Sequence, residues 1–262
     1  MPTWLLAGLI GLLAASGLFL GALVGYTERL PHRAIATIMG FGAGVLVAVL
    51  TLELVAESGE HGSALATAFG FIGGAVLFSI GNWLLERRGA EDRKRCGVCV
   101  AQPSEAEVPD SGLAIAMGAL IDGVPESLAI GLSTVAVGGM GPGSRQASLS
   151  VALVAGFFLA NIPQGVSSAS GMHHAGRSRA YVLGVWSIVV GASTVASIVG
   201  AVVFAAASDV FLAAITALAA GGVLAMLAET MIPEAFHLNR RFIGAVTAFG
   251  FMVALLLGSA TS

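Results

Sequence analysis

Two short proline motifs place oxygen-bearing side chains inside segments that are otherwise apolar. The first, DGVPES, begins at Asp122 and includes Glu126, and the second, ANIPQG, contains Asn161 and Gln164. Residues three or four apart lie on one face of a helix, so each motif presents a polar pair on a single side. Two carboxylates and two amides form an oxygen-rich set that suits a divalent cation. A proton relay without metal and a purely structural role are the alternatives.

The prolines of these motifs predict local irregularity in the backbone. Pro125 and Pro163 have no N–H, so the carbonyls of Ile121 and Leu159 lose their usual helical donors. Within a bilayer such a carbonyl is tolerated only where it faces protein or water. We therefore expect the two helices to bend and to line a polar cavity, where backbone oxygens can join a cation.

The composition predicts which class of protein holds this set. The chain of 262 residues is 56% hydrophobic and 10% charged, whereas a soluble domain is about 25% charged. That apolarity excludes a soluble globular domain and predicts an all-α integral membrane protein. The first apolar run, residues 4–26, is too long for a signal-peptide core and lacks a basic start. We expect the lipid bilayer as its surroundings and no nucleic-acid partner.

Eight apolar runs are long enough, at about 20 residues, to cross a bilayer and form one transmembrane domain over 1–262. The predicted spans are residues 3–25, 34–57, 64–86, 111–135, 147–171, 180–206, 210–235 and 242–260. Eleven of the twelve Lys and Arg residues follow odd-numbered spans, and only Arg145 follows an even one. Because cationic loops stay in the cytoplasm, both termini are predicted to lie outside. We expect a multi-pass protein of the plasma (inner) membrane.

The longest polar stretch, 87–110, is predicted to be a flexible cytoplasmic loop between spans three and four. It contains Cys96 and Cys99, which offer no disulfide framework for the fold. The pair matches half of a zinc site. A free dithiol and weak metal capture are both open interpretations.

Internal similarity predicts an inverted repeat. Span two reads GAGVLVAVLTLELVAESGEH from Gly42, and span seven reads AGGVLAMLAETMIPEAFH from Ala220. The two proline motifs of spans four and five are similar in the same way, and both pairs run antiparallel in the predicted topology. In transporters with inverted repeats, substrate sites lie near the bilayer midplane at the repeat interface. Shared Gly, Ala and Val content is the simpler explanation for spans two and seven.

Other polar residues stand along the spans and at their ends. The group toward the outside is Glu53, Glu57, Glu60 and His61, and the group toward the cytoplasm is Glu229, Glu234, His237, His173 and His174. One interpretation is a path that leads a cation into the site from outside and out of it to the cytoplasm. The other is a set of solvated helix ends, although Glu53 lies too deep in its span for that.

The chain resembles the ZIP (Zrt/Irt-like) family of metal transporters over nearly its whole length. The family's fourth span carries His-Asn-x-Pro-Glu-Gly, which is similar to the motif from Asp122, and its fifth-span motif is similar to the one with Asn161. The resemblance implies import of a divalent metal, zinc first with iron, manganese or cadmium as variants. It also implies a 3+2+3 helix arrangement, homodimers, alternating access, and a metal site between spans four and five to which Asn161 and Glu53 contribute.

The departures from the family motif bear on which metal is carried. Asp122 replaces the family histidine and Gln164 replaces the usual glutamate, while Glu126 is kept. The midplane set therefore has no imidazole or thiolate, which zinc usually favours, and its oxygens suit harder cations. Span six, in residues 181–191, offers no glutamate, so one metal per site is expected rather than two.

Other functions compete with metal import. A proton-coupled transporter of another solute and a metal-binding sensor without flux are both compatible with these residues. An aspartyl protease needs two catalytic aspartates on separate helices, and the predicted spans contain only Asp122. We therefore predict no enzymatic activity and no tightly bound cofactor, with the metal as cargo. The coupling ion is left open by the sequence.

Overall fold

The protein is all-helical wherever its structure, a computed structural model, describes the chain. The described residues are 1–27, 31–61, 63–87, 111–138, 145–238 and 241–261. The predicted loop with Cys96 and Cys99 lies outside these ranges, apart from Arg87. Within them every element is a helix, as the composition predicts.

Ten helices account for the described elements, and two pairs of them are joined by π-helical segments. The helices are α1 Thr3–Thr27, α2 His32–Val49, α3 Ala56–His61, α4 Ala64–Leu85, α5 Ser111–Gly138, α6 Arg145–His174, α7 Arg179–Val203, α8 Asp209–Met226, α9 Ile232–Leu238 and α10 Ile243–Thr261. Leu50–Val55 continues α2 into α3, and Leu227–Met231 continues α8 into α9. These make eight helical rods that overlap the eight apolar runs. Span six was predicted to reach residue 206, but α7 ends at Val203.

The apolar surface of these helices is compatible with a multi-pass membrane protein. Within the described residues, five helical stretches are long and apolar enough to cross a bilayer: Thr3–Thr27, Arg33–Leu52, Ala64–Leu85, Arg179–Val203 and Asp209–His237. Ile243–Ser259 is a shorter apolar helix. In α4 only 11% of the most apolar window is buried by the rest of the protein. Its exposed Phe69, Ile72 and Leu77 therefore need a non-aqueous surrounding.

The long helices pack in two groups of four. In the first group, α1 lies along α6 and α7, and α5 lies along α7. In the second group, α4 lies along α8, and α10 lies along α2. The groups meet where α2 contacts α6 and where α5 contacts α8. The two proline motifs thus lie on helices that form the boundary between the groups.

Glycine permits the closest helix contact of the first group. Gly17, Gly21 and Gly25 recur every four residues on α1, so they form one stripe. A Cβ placed at Gly21 would overlap the carbonyl oxygen of Ile162 on α6, and Gly165 meets Leu18 in the same way. Small residues let two backbones approach in a bilayer, where dispersion contacts supply much of the attraction between helices.

Both proline-containing helices continue through their prolines. Pro125 lies inside α5 and Pro163 inside α6, and neither helix ends at the motif. The irregular turns occur instead in the rods that carry Glu53 and Glu229. The π-helical segments begin six residues after Gly44 and five residues after Gly222, in the two similar sequences.

Candidate cation site between α5 and α6

The structure brings Glu126 and Gln164 together between the two proline-containing helices. The amide Nε2 of Gln164 donates to Oε1 of Glu126 at 3.4 Å. Only 3% of Glu126 and 4% of Gln164 is exposed. A carboxylate at this depth is costly unless a cation, a proton or several donors satisfy it. The pair therefore forms a buried acceptor-rich point at which α5 and α6 meet.

Asp122 and Asn161 lie one turn before this pair on their own helices. Asp122 is 2% exposed, and Asn161 is 4% exposed. The amide Nδ2 of Asn161 donates to the carbonyl oxygen of Ala14 on α1 at 3.1 Å. This bond orients the Asn161 amide through its nitrogen. The spacing of four residues puts Asp122 on the face of α5 that carries Glu126, as the sequence predicts.

A third helix supports the backbone of α5 beside Glu126. The hydroxyl of Ser197 on α7 donates to the carbonyl oxygen of Ser127 at 3.1 Å. Ser127 in turn donates its hydroxyl to the carbonyl oxygen of Gly123 at 2.7 Å. Both serines are buried. These bonds add donors to backbone carbonyls on either side of Pro125 and tie this part of α5 to α7.

The two proline rings pack against glycines of the second helix group. A Cβ built on Gly222 of α8 would lie 3.0 Å from Cγ of Pro125, and one built on Gly42 of α2 would lie 2.7 Å from Cγ of Pro163. Each proline motif thus borders a glycine on a helix that bears a π-helical segment. The cation site and the boundary between the groups share these contacts.

Glu234 joins the buried polar face of α6. Its Oε1 accepts a hydrogen bond from the Ser167 hydroxyl at 2.8 Å, and 5% of Glu234 is exposed. Ser167 lies three residues after Gln164, on the same face of α6. Polar side chains therefore continue from the Glu126–Gln164 pair along α6, and the buried members of this stretch are Asn161, Gln164, Ser167, Ser168 and Ser170.

Glu229 has different neighbours from Glu234. It is exposed, and its carboxylate accepts hydrogen bonds from Ser79 and Asn82 of α4. The path predicted toward the cytoplasm included both glutamates. The structure directs Glu234 to α6 and Glu229 to α4, so only Glu234 contacts a helix of the α5–α6 site through these bonds.

The predicted histidines lie at helix ends. His173 and His174 are exposed at the end of α6, and His237 is exposed in α9. The His173 ring stacks on Tyr26 of α1 with centroids 4.4 Å apart. Nδ1 of His174 lies 2.7 Å from the carbonyl oxygen of Ser170. The positions of His173 and His174 suit a role at the protein surface, at the end of α6 where its polar face ends.

The outer candidates are described by their backbone positions alone. Glu53 belongs to the π-helical segment Leu50–Val55, and Glu57 and His61 belong to α3. The π-helical segment packs against α8 as well as α2. Their side chains lie outside what the structure describes, so their parts in the predicted site and path stay predictions.

Three functional candidates were missed by the sequence reasoning. Ser167 is one of three serines in a short stretch of α6, and nothing in its spacing singles it out. Ser79 and Asn82 stand three residues apart near the end of α4. Asn82 gave a usable signal, because an amide within an apolar span calls for a hydrogen-bonding partner on a neighbouring helix.

The donor set is made of carboxylates and amides. Among the described residues, no group of three or more His, Cys, Asp or Glu side chains is arranged to hold a metal ion. The α5–α6 site has only two carboxylates, so it does not make up such a group. Together with its two amides, however, it offers oxygen ligands of the type that hard divalent cations take. The arrangement can also hold a proton on either carboxylate. A scan against models of known protein families and a search of curated proteins gave no match for this chain.

Proposed function

We propose that the protein carries a divalent metal cation across the membrane into the cytoplasm by alternating access. The observation that carries the proposal is the buried contact of Glu126 with Gln164 between two proline-containing helices. A cation that reaches this point exchanges part of its water for their oxygens. Asp122 and Asn161, one turn away, are the further ligands that we assign, and Glu53 is the ligand from span two.

An inverted repeat is supported by the way the helices pair. The eight helical rods are numbered here in chain order. If rod one is exchanged with six, two with seven, three with eight and four with five, the α1–α7 contact stays the same and the other main contacts are converted into one another. The α1–α6 contact becomes α7–α5, and the α4–α8 contact becomes α10–α2. The α2–α6 contact becomes α8–α5. If the two halves were similar in composition alone, their helix contacts would have no reason to correspond in this way. An inverted repeat predicts this correspondence.

The boundary between the helix groups gives alternating access a physical route. The site lies in one group, and its proline rings rest on glycines of the other. Because glycine presents no side chain, these contacts place few atoms in the way of one group sliding or rocking past the other. Inward movement of a dication is favoured by about 2.3 kcal/mol per charge for each 100 mV of membrane potential.

Zinc is the first candidate cargo, with iron, manganese and cadmium as alternatives. Zinc comes from the resemblance to the ZIP family, while the oxygen ligands favour harder cations. We place the protein in the plasma (inner) membrane with both termini outside, as a homodimer. The 3+2+3 arrangement and the family membership belong to the same proposal.

Flux into proteoliposomes tests the proposal directly. Purified protein is reconstituted, and uptake of zinc, manganese, iron(II) and cadmium is measured for the natural sequence, Asp122→Ala, Glu126→Ala and Glu126→Gln. We expect saturable uptake that falls at least about a hundredfold in all three variants, because each removes a charged ligand from a buried site. Thr134→Val is the matched control, since the Thr134 hydroxyl is buried on α5 but bonds only its own helix at Gly131.

Two outcomes would contradict the proposal. Normal uptake by folded Glu126→Ala would remove this carboxylate from the mechanism. Absence of uptake for every metal would favour the other functions, and uptake of another solute driven by a pH gradient would identify the proton-coupled transporter. Metal binding without flux would identify the sensor.

A further inference from the structure

A second polar cluster lies between α4 and α8, apart from the α5–α6 site. The cluster has four members. They are Ser79 and Asn82 of α4, Glu86 directly after α4, and Glu229 in the π-helical segment that follows α8. The amide Nδ2 of Asn82 donates to Oε1 of Glu86 at 2.9 Å and to Oε2 of Glu229 at 3.0 Å. The Ser79 hydroxyl donates to Oε1 of Glu229. One amide group thus lies between two carboxylates from different helices.

The Asn82 side chain is buried and only half satisfied. It is 3% exposed, and its Oδ1 has no hydrogen-bond partner in the part of the chain that the structure describes. A buried acceptor without a partner loses its hydration without gaining a hydrogen bond, which is unfavourable. Half a turn of the terminal amide exchanges Oδ1 with Nδ2, and this torsion has two broad minima. After that rotation, the amide oxygen points between the two carboxylates.

The electrostatics of this position favour a cation. Glu86 is the residue at which α4 ends, and a carboxylate at a helix C-terminus lies at the negative end of the helix dipole. Glu229 adds a second carboxylate across the helix interface. The next cation along the chain, Arg87, lies with its guanidinium 3.8 Å above the centre of the Trp83 ring. That guanidinium is therefore engaged by the ring, and the two carboxylates are bridged by a neutral amide.

We propose that Glu86, Glu229, Asn82 and Ser79 form a second binding site, for a hard divalent cation. Binding rotates the Asn82 amide so that its oxygen joins two carboxylates and the Ser79 hydroxyl. Oxygen ligands of this kind are those of manganese, magnesium and calcium. Glu86 is half-buried and lies at the predicted cytoplasmic end of span three, so the cation would approach the site from that end. The cation joins α4 to α8 within the second helix group.

Mn²⁺ binding measured by electron paramagnetic resonance tests this site. Free Mn²⁺ is titrated against the full chain in detergent, and the bound equivalents are counted. We expect Glu229→Gln and Glu86→Gln each to lose one equivalent, or to bind it at least about tenfold more weakly, because cation affinity follows ligand charge. Asn82→Asp adds a carboxylate and removes the N–H groups, so it should bind about tenfold more tightly. Asp209→Asn, at the other end of α8, is the control and should bind as the natural sequence does.

The design separates this site from the proposed transport site. Glu126→Gln should keep the α4–α8 equivalent even where it abolishes flux. If Glu229→Gln and Glu86→Gln bind as many equivalents as the natural sequence, the α4–α8 site is wrong while the proposed function stands. If Glu126→Gln transports normally and the Glu86 and Glu229 variants lose an equivalent, the proposed function is wrong while the α4–α8 site stands. Unchanged affinity in Asn82→Asp would contradict the amide rotation, including when one glutamate variant fails to fold.

Discussion

Ser167 supplies a neutral donor to a carboxylate that is almost fully buried. The Ser167 hydroxyl and Glu234 belong to different helix groups, so their bond crosses the boundary between α6 and α9. Hydrogen bonds to charged groups contribute more to stability than neutral ones. If the protein works by the proposed alternating access, a bond at this boundary also has to be remade in each conformation. Under that proposal, Ser167 bears on flux as well as on stability.

Replacing Ser167 with Ala should lower the stability of the protein by about 1–3 kcal/mol, because it removes a donor to a buried acceptor. Thermal unfolding in one detergent measures the change. Ser133→Ala serves as the control, since the Ser133 hydroxyl bonds only the Ile130 carbonyl of its own helix. An equal loss in the two variants would mean that the bond to Glu234 contributes nothing of its own.

At the scale of helices, the irregular turns do not lie at the two proline motifs of α5 and α6. α5 and α6 remain helical through Pro125 and Pro163, while the rods of spans two and seven each contain a π-helical segment. π-helical turns are rare and occur frequently at functional sites. The segments begin eight residues after Gly42 and five residues after Gly222, so the irregular backbone belongs to the two rods whose glycines receive the proline rings.

Helix contacts made through glycine should respond sharply to one added methyl group. Gly21→Ala forces a Cβ onto the Ile162 carbonyl, so we expect a loss of about 1–3 kcal/mol from overpacking. Gly184→Ala on α7 meets nothing within 4 Å, so it should raise stability by up to about 1 kcal/mol through helix propensity. Unfolding of both variants in one detergent supplies the comparison. Equal stability of the two proteins would contradict close α1–α6 packing.

The sequence predicts the helices and which residues share a helix face, but it does not predict which helices lie against each other. Long apolar runs predict the helical rods because backbone groups in lipid must be satisfied locally, and spacings of three and four predict that Asp122 and Glu126 share a face. The contacts of Glu234 with Ser167 and of Glu229 with Asn82 join residues far apart in the chain. Local periodicity carries no information on which helix lies opposite. The π-helical segment of span two likewise has no nearby proline to mark it, whereas Pro233 follows the segment of span seven by two residues.

At the scale of the whole molecule, the two ends of α7 should lie on opposite sides of the membrane. The helix runs from Arg179 to Val203 and is apolar enough to span. The positive-inside rule puts its start in the cytoplasm. Ala180 lies in the first turn of α7 and Ala206 lies three residues after its end, and both are exposed.

Cysteine accessibility tests this orientation. In a background with Cys96→Ser and Cys99→Ser, Ala206→Cys should react with a membrane-impermeant maleimide on intact cells. Ala180→Cys should react only after permeabilisation, because the bilayer shields its side. Labelling in the opposite order would invert the topology and with it the proposed direction of transport.

The packing of α1 has a consequence for how the chain is assembled. α1 leaves the ribosome well before the helices that it lies against most closely, α6 and α7, and α6 begins only at Arg145. More than a hundred residues must be synthesised before the glycine stripe of α1 meets its partner. Until then, α1 has to persist without its contacts to α6 and α7, a state that its uncharged sequence permits in a bilayer. Insertion and final packing of α1 are thus separate events in time, and α2 and α4, which are synthesised before α6, must leave the approach to α1 open until α6 arrives.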